Sequence, residues 1–278
     1  DKILCAKWAI SIEAPAATKN YLAANLGTNQ VLHSLYLEAM ALDLDWPGIE
    51  RLVSNSTNVV DEVLLQSIEG WKASLERDGE KSEAKFKSAI DFAGKRPFSD
   101  MVQSLFLISV WAERSGNPAI AIQAMQPLLA FRSVAARAAN NMIRNAAKLT
   151  TVEPAHPAHR ALWQYAPKEE RIMVGFSHSA LLLNRDLEDA VNVLRVLEAQ
   201  NPTAQWPSVL LAYGLVRTGK NTEAADLLDS RLINESQLGP AMQVLLAGTK
   251  LALGQKEAAR QLARSISRSG LKVEEVRI

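Results

Sequence analysis

The sequence is poor in cysteine and in long apolar runs. Its one cysteine, Cys5, has no partner within the 278 residues, so no intrachain disulfide can form, and the cysteine content indicates no compartment. No apolar stretch reaches the roughly 18 residues that a membrane-spanning helix requires, so we expect no membrane insertion by this segment. The chain begins at Asp1, and its first ten residues contain charges where a signal peptide has an apolar core. We therefore expect a fragment of a longer protein, and both a cytoplasmic and a periplasmic location are compatible with it.

An excess of charge of either sign is also missing. The 31 Lys and Arg residues balance 30 Asp and Glu residues, which leaves a formal net charge of +1. A general nucleic-acid binder usually carries a clear basic excess, because neutralising phosphates supplies much of its affinity. We therefore expect no nucleic-acid partner. The hydrophobic share of 48% and the charged share of 22% are those of a folded protein.

Motifs that concentrate catalytic chemistry are absent as well. The sequence contains no phosphate-binding loop, no dinucleotide-binding glycine fingerprint and no nucleophile elbow. His156 and His159 are close enough to share a metal ion, but no Cys or carboxylate pattern accompanies them, and we interpret them as part of a surface loop. Cys5 is interpreted as a small core residue, and the adjacent residues Glu274 and Glu275 as solvated. The sequence thus predicts no enzyme, no catalytic residue, no metal site and no cofactor.

What the sequence does contain is a repeated spacing of glycine and alanine. A Gly precedes an Ala by five residues in four segments: Gly79 and Ala84, Gly116 and Ala121, Gly219 and Ala224, and Gly254 and Ala259. Gly ends a helix easily because it adopts the left-handed conformation without steric cost. The small Ala lets two helices cross closely. With apolar residues recurring at intervals of three and four, the pattern predicts an all-α fold of helical hairpins, the glycines in the turns and the alanines buried.

The alanine register continues along the chain in steps of about 34 residues. The period, the interhelix glycines and the small crossing residues resemble tetratricopeptide repeats. The resemblance implies a right-handed α-solenoid of about eight antiparallel helical hairpins, forming one array over residues 1–278. We expect degenerate hairpins in residues 1–55, clearer repeats in 56–268 and a tail in 269–278. Other helical repeats of about 35 residues remain alternatives.

In the tetratricopeptide family the first helix of each hairpin lines the concave side of the array. In the helix predicted over residues 133–149, polar residues recur at intervals of three and four positions, which places them on one face. Arginines and amides donate hydrogen bonds in fixed directions, which suits a carboxylate or an extended backbone. A solvated helix face is the plainer alternative. The predicted partner-binding residues are Arg137, Asn140, Asn141, Arg144, Lys148, Arg114, Phe106, Tyr213 and Arg217.

The predicted function is that of a protein-interaction scaffold that binds a peptide or protein in the concave groove. Such arrays are common in bacterial assembly, secretion and envelope complexes, and the Ala- and Leu-rich composition suggests a bacterial origin. The alternatives are an RNA-binding helical repeat and an accessory helical domain of a larger enzyme. An acidic segment at 38–62 and a basic stripe on the last helix also make self-association through the two ends of the array possible.

Overall fold

The computed structural model describes residues 2–11, 14–23, 26, 29–55 and 60–278. Within these residues all regular secondary structure is helical, which confirms the predicted all-α class, and no strand occurs in them. The contacts divide the chain into two compact units, Asp1–Met125 and Gln126–Ile278, which are described separately below. No helix in the described part of the chain combines the length and the apolar character needed to cross a membrane.

In its described residues, unit 1 contains four pairs of consecutive helices, and the two helices of each pair pack on each other. Its helices are α1 (Lys2–Ser11), α2 (Pro15–Ala23), α3 (Gln30–Leu42), α4 (Trp46–Asn55), α5 (Glu62–Leu75), α6 (Gly79–Gly94), α7 (Phe98–Arg114) and α8 (Pro118–Met125). Short polar side chains begin several of them. The Asp61 carboxylate, for example, accepts the N–H of Leu64 at 3.0 Å, which satisfies a donor that the helix start leaves without an intrahelical partner. The first helices of successive pairs also contact each other, as α5 does α7.

Unit 2 repeats the arrangement with four further pairs and a short final helix. Its α-helices are α9 (Arg132–Ala146), α10 (His156–Tyr165), α11 (Glu170–Leu183), α12 (Leu187–Gln200), α13 (Gln205–Arg217), α14 (Asn221–Ser230), α15 (Pro240–Ala252), α16 (Lys256–Ser265) and α17 (Val273–Val276). Three short 3-10 helices join them at Gln126–Ala130, Glu153–Ala155 and Glu235–Gln237. A continuous core of buried hydrophobic residues runs from α11 to α16.

Six of the interhelix turns share one backbone geometry. In each, a residue with positive φ follows the first helix; these residues are Leu44, Arg77, Gly116, Asn184, Gly219 and Gly254. The N–H of the next residue donates to a carbonyl five residues earlier, at 2.8–2.9 Å in all six turns. This bond is the one that closes a helix through a left-handed residue. The glycines predicted at 116, 219 and 254 therefore lie in the turns as expected.

The residue where the two helices of a hairpin cross is buried in the same six hairpins. Ala121, Ala224 and Ala259 are buried, as the sequence predicted, and so are Ala190 and, in the α3–α4 hairpin, Ile49. In the α5–α6 hairpin, however, the predicted register is wrong. Ala84 is exposed, and the buried crossing residue is Ser82. The physical reason is that Arg77 takes the left-handed position, so Gly79 is instead the first residue of α6, and the count from Gly79 falls two residues late.

The N-terminal helix also departs from its interpretation. Cys5 was expected in the core, yet it is exposed, because the buried face of α1 carries Ala6 and Ile10 instead. Trp8 is exposed on the same helix. A single apolar residue does not indicate which face of a helix is buried. Only the packing of α1 therefore determines that Cys5 lies on its exposed face.

Candidate functional site

The polar stripe of α9 is present on one face of the helix. Arg137, Asn140 and Arg144 are exposed, and so is Lys148, which lies just beyond the end of α9. The opposite face is buried, and its apolar side chains are small or flexible: Ala135, Ala138, Ala139, Met142 and Ala146. This division follows from the helical period, because residues three and four apart share a face. The face that carries the four polar residues is called the α9 face below.

Asn141 does not belong to the α9 face. Its side chain is buried, and its Oδ1 accepts a hydrogen bond from the Asn145 Nδ2 at 3.0 Å. The same Nδ2 donates to the main-chain oxygen of Asn141 at 3.1 Å. Two amides four residues apart in a helix can satisfy each other in this way, which makes their burial tolerable. Asn141 was predicted to be a binding residue of the concave groove because it is as polar as its exposed neighbours in the sequence.

The remaining predicted binding residues lie on other first helices, in both units. In unit 1, Arg114 of α7 is exposed, with its guanidinium 5.2 Å from the centre of the Trp111 ring, and Phe106 is partly buried. In unit 2, Tyr213 of α13 is almost fully buried, and its hydroxyl accepts a hydrogen bond from the exposed Arg217 at 2.9 Å. Tyr213 therefore holds Arg217 in place and offers little surface of its own.

The two neighbouring histidines are packed side chains and not members of a surface loop, so that interpretation is wrong. Both belong to α10, and His156 is buried at the start of this helix. Their Nδ1 atoms lie 3.0 Å and 3.3 Å from the same hydroxyl oxygen, that of Ser179 on α11. Within the described residues, no group of three or more His, Cys, Asp and Glu side chains is arranged to hold a metal ion.

A buried environment determines how these histidines ionise. Burial is the largest influence on His159, and together with the nearby charges of His156 and His178 it lowers the pKa of His159 to about 4. Burial also lowers the pKa of His156, although Asp186, at 3.2 Å from His156 Nε2, acts in the opposite direction. The His159 ring is therefore largely neutral at physiological pH.

Ser179, His156 and Asp186 form a chain of hydrogen-bonding groups, but its geometry is that of a structural network. Ser179 is only 2% exposed, so a substrate has no access to its hydroxyl oxygen. The same hydroxyl also lies 3.1 Å from the main-chain oxygen of Phe176, to which it donates. A catalytic serine instead needs an accessible oxygen beside the base that takes its proton. The three residues join α10, α11 and the turn after α11.

The predicted tail at 269–278 is folded against unit 2. Glu275 is only 4% exposed, and its Oε1 lies 3.4 Å from the Nε2 of His178 on α11. The Glu274 carboxylate accepts the main-chain N–H of Val152 at 3.1 Å. The interpretation of both glutamates as solvated is therefore wrong. His178 and Val152 are more than 90 residues away from these glutamates in the sequence, so no local pattern indicates the two contacts.

Comparison with known proteins identifies no relative of this chain. No protein-family model matches the chain, and neither a curated protein nor a solved structure shows significant similarity to it.

Proposed function

We propose that this protein is a protein-interaction scaffold, in which the helical hairpins stack as a right-handed α-solenoid of the tetratricopeptide type. The support for this arrangement is the repetition of one turn geometry in six hairpins, each followed by a buried crossing residue. In such repeats each hairpin packs mainly on its neighbours, and the row of first helices offers an extended binding surface.

The α9 face is the observation that carries the proposal. Two arginines, an asparagine and a lysine project from one side of a first helix whose other side is buried. A guanidinium presents several donors in a fixed plane, so it can bind a carboxylate through two parallel hydrogen bonds. The partner is therefore a protein or peptide that brings carboxylates to this face.

The test is to identify a partner by affinity capture and then to measure its affinity for two variants of the full chain. In the first variant, Arg137→Ala is combined with Arg144→Ala. Losing charge-assisted hydrogen bonds typically costs about 1.5–3 kcal/mol, so we expect binding to weaken roughly ten- to a hundred-fold. In the control variant, Arg260→Ala is combined with Arg264→Ala, which removes the same charge from the exposed side of α16.

The control should bind as the wild type does. If the first variant is folded and its affinity is also unchanged, the α9 face is an ordinary solvated surface and the proposed site is wrong.

A further inference from the structure

The segment 272–278 depends on its contacts with unit 2 for its conformation. Before it, the chain reverses direction at residues 268–271, where Gly270 has a φ of +82°. The segment contains one short helix, α17 (Val273–Val276). A helix of a single turn is not stable alone in water, because nucleation is unfavourable and few hydrogen bonds follow it. Its order therefore comes from the surface against which it lies.

The start of the segment binds main-chain groups of the turn between α9 and α10. The Val273 N–H donates to the Thr150 carbonyl at 2.7 Å. The Lys272 ammonium donates to the carbonyls of Ala147, at 3.2 Å, and Leu149. A cation near the last carbonyls of a helix is favourable, since these carry the negative end of the helix dipole. This turn has no residue with positive φ, so the segment supplies partners that other turns obtain locally.

The acidic pair of the segment is satisfied on the same surface. Glu274 accepts hydrogen bonds from the Val152 N–H and from the Thr151 hydroxyl. The buried Glu275 lies beside His178, and its second oxygen accepts the Lys272 N–H at 2.7 Å. A buried carboxylate is costly unless such partners surround it. Donors of the α9–α10 turn thus hold Glu274, while His178 and the segment's own Lys272 N–H hold Glu275.

The far end of the segment is apolar. Ile278 packs against the core of unit 2 beside Gly248 of α15, where a Cβ would lie 2.4 Å from the Ile278 Cγ2. Any side chain at position 248 would therefore displace Ile278. Beside this contact an apolar cleft of about 230 Å³ remains between α15, α16 and the segment, lined by residues such as Val244, Leu251 and Ala263. The chain's own segment does not fill this cleft.

We infer that this surface is a peptide-binding site, which segment 272–278 occupies within its own chain. The site, called the tail site below, consists of the α9–α10 turn, His178 and Gly248. The partner it fits is a protein segment with two adjacent carboxylates and, three positions after the second, an aliphatic side chain. The inference rests on the proposed binding function. Because the chain's own segment is tethered at an effective concentration on the order of millimolar, a partner has to bind more strongly than the segment does.

The first test is a fluorescence titration with a labelled peptide of the sequence of residues 271–278, amidated so that no terminal carboxylate contributes. The full chain is used as wild type and as a released variant carrying Glu274→Ala and Glu275→Ala. We expect the peptide to bind the released variant at least tenfold more tightly than the wild type, because the tail site is then open. A peptide with both glutamates changed to alanine should bind at least tenfold more weakly.

Two glycine substitutions make the assay specific for the tail site. Adding Gly248→Ala to the released variant should weaken peptide binding at least tenfold. The matched change Gly94→Ala should leave binding unaltered, because a Cβ at Gly94 meets nothing within 4 Å. Equal peptide affinity for wild type and released variant would overturn the inference. So would the absence of binding to a released variant whose circular dichroism and melting match those of the wild type.

Amide hydrogen exchange on the unmodified chain provides a measurement that needs no variant to fold. If the segment opens separately from the rest of unit 2, the amides of Val273 and Val276 exchange at least tenfold faster than those of Leu246 and Ala247 on α15. Exchange as slow as that of α15 would mean that the segment is a fixed part of the fold, which contradicts the inference. Neither test involves the α9 face, so failure here and failure of the proposed function are distinguishable.

Discussion

The α9–α10 turn and the six left-handed turns solve the same problem in different ways. At the end of a helix, the last carbonyls lack intrahelical partners. In the six turns, one residue with positive φ closes the helix through a hydrogen bond within the turn, as Gly219 does after α13. At the end of α9 no such residue is present, and Lys272 and Val273 provide the donors from more than 120 residues away. The first solution is local in sequence, and the second exists only after unit 2 has folded.

The difference teaches that one hairpin of unit 2 depends on a distant part of the chain, while the others are closed by their own residues. The α9–α10 hairpin also contains the buried histidines and carries the α9 face. Its stability therefore responds to changes that leave the other hairpins unaffected, and the following experiments separate the two kinds of hairpin.

Overpacking a locally closed hairpin should have the largest effect. Ala224 is fully buried where α13 and α14 cross, so Ala224→Leu should lower the free energy of unfolding by about 1–3 kcal/mol. Ala84→Leu is the matched control, because Ala84 is exposed on α6 and the same change should be close to neutral. Denaturant melts of both variants provide the comparison. Equal effects of the two substitutions would contradict the crossing-residue assignment.

Acid should weaken the α9–α10 region as the pH falls below neutrality. Because the folded-state pKa of His159 is about 4, below its unfolded value of 6.5, its neutral form is favoured by folding. The stability that this contributes is complete above about pH 6.5 and is lost as the pH falls towards 4. Between pH 7 and pH 5 we expect a loss of at most about 2 kcal/mol, measured by denaturant melts at each pH.

The variant His159→Gln should flatten this pH dependence, since glutamine does not titrate. His156, whose pKa is also lowered, leaves a smaller slope of the same sign. If the wild type and the variant lose the same stability between pH 7 and pH 5, His159 is not the group responsible.

Removing one donor from segment 272–278 should have a moderate effect on the α9–α10 turn. Proline fits at position 273, because Val273 is the first residue of α17 and Lys272 already has the extended conformation (φ −76°, ψ 159°) that precedes proline. Val273→Pro therefore removes mainly the N–H bonded to Thr150, at a cost of about 0.5–1.5 kcal/mol. Hydrogen exchange should show faster opening in α9 and α10, and unchanged exchange there would mean that the bond does not support the turn.

Substitutions at the positive-φ positions of the turns should have the smallest effects on stability. Arg77 has a φ of +63°, which is unfavourable for a residue with a Cβ, so Arg77→Gly should stabilise unit 1 by up to about 1 kcal/mol. Gly219→Ala should destabilise unit 2 by a similar amount, since its φ is +78°. The same sign for both substitutions in thermal melts would contradict the role assigned to these turns.

A large part of the fold could be predicted from local patterns. Gly116, Gly219 and Gly254 mark three turns, because a left-handed residue at a helix end favours glycine strongly enough to appear in the sequence. Asn184 could have marked a fourth, since asparagine tolerates the same conformation. Leu44 and Arg77 gave no such signal, and the register of the α5–α6 hairpin was wrong for that reason. The exposed residues of the α9 face followed from helical period alone.

The sequence by itself determined the helical class, the turns at Gly116, Gly219 and Gly254 and the exposed polar face of α9. Each of these depends on residues that are close together in the sequence. The tertiary structure decided which polar residues are buried. Asn141 differs from Asn140 only in the side of α9 on which it lies, and the burial of Glu275 depends on His178, on another helix. It also decided that segment 272–278 folds back onto α9, α11 and α15, since those contacts join residues that only packing brings together.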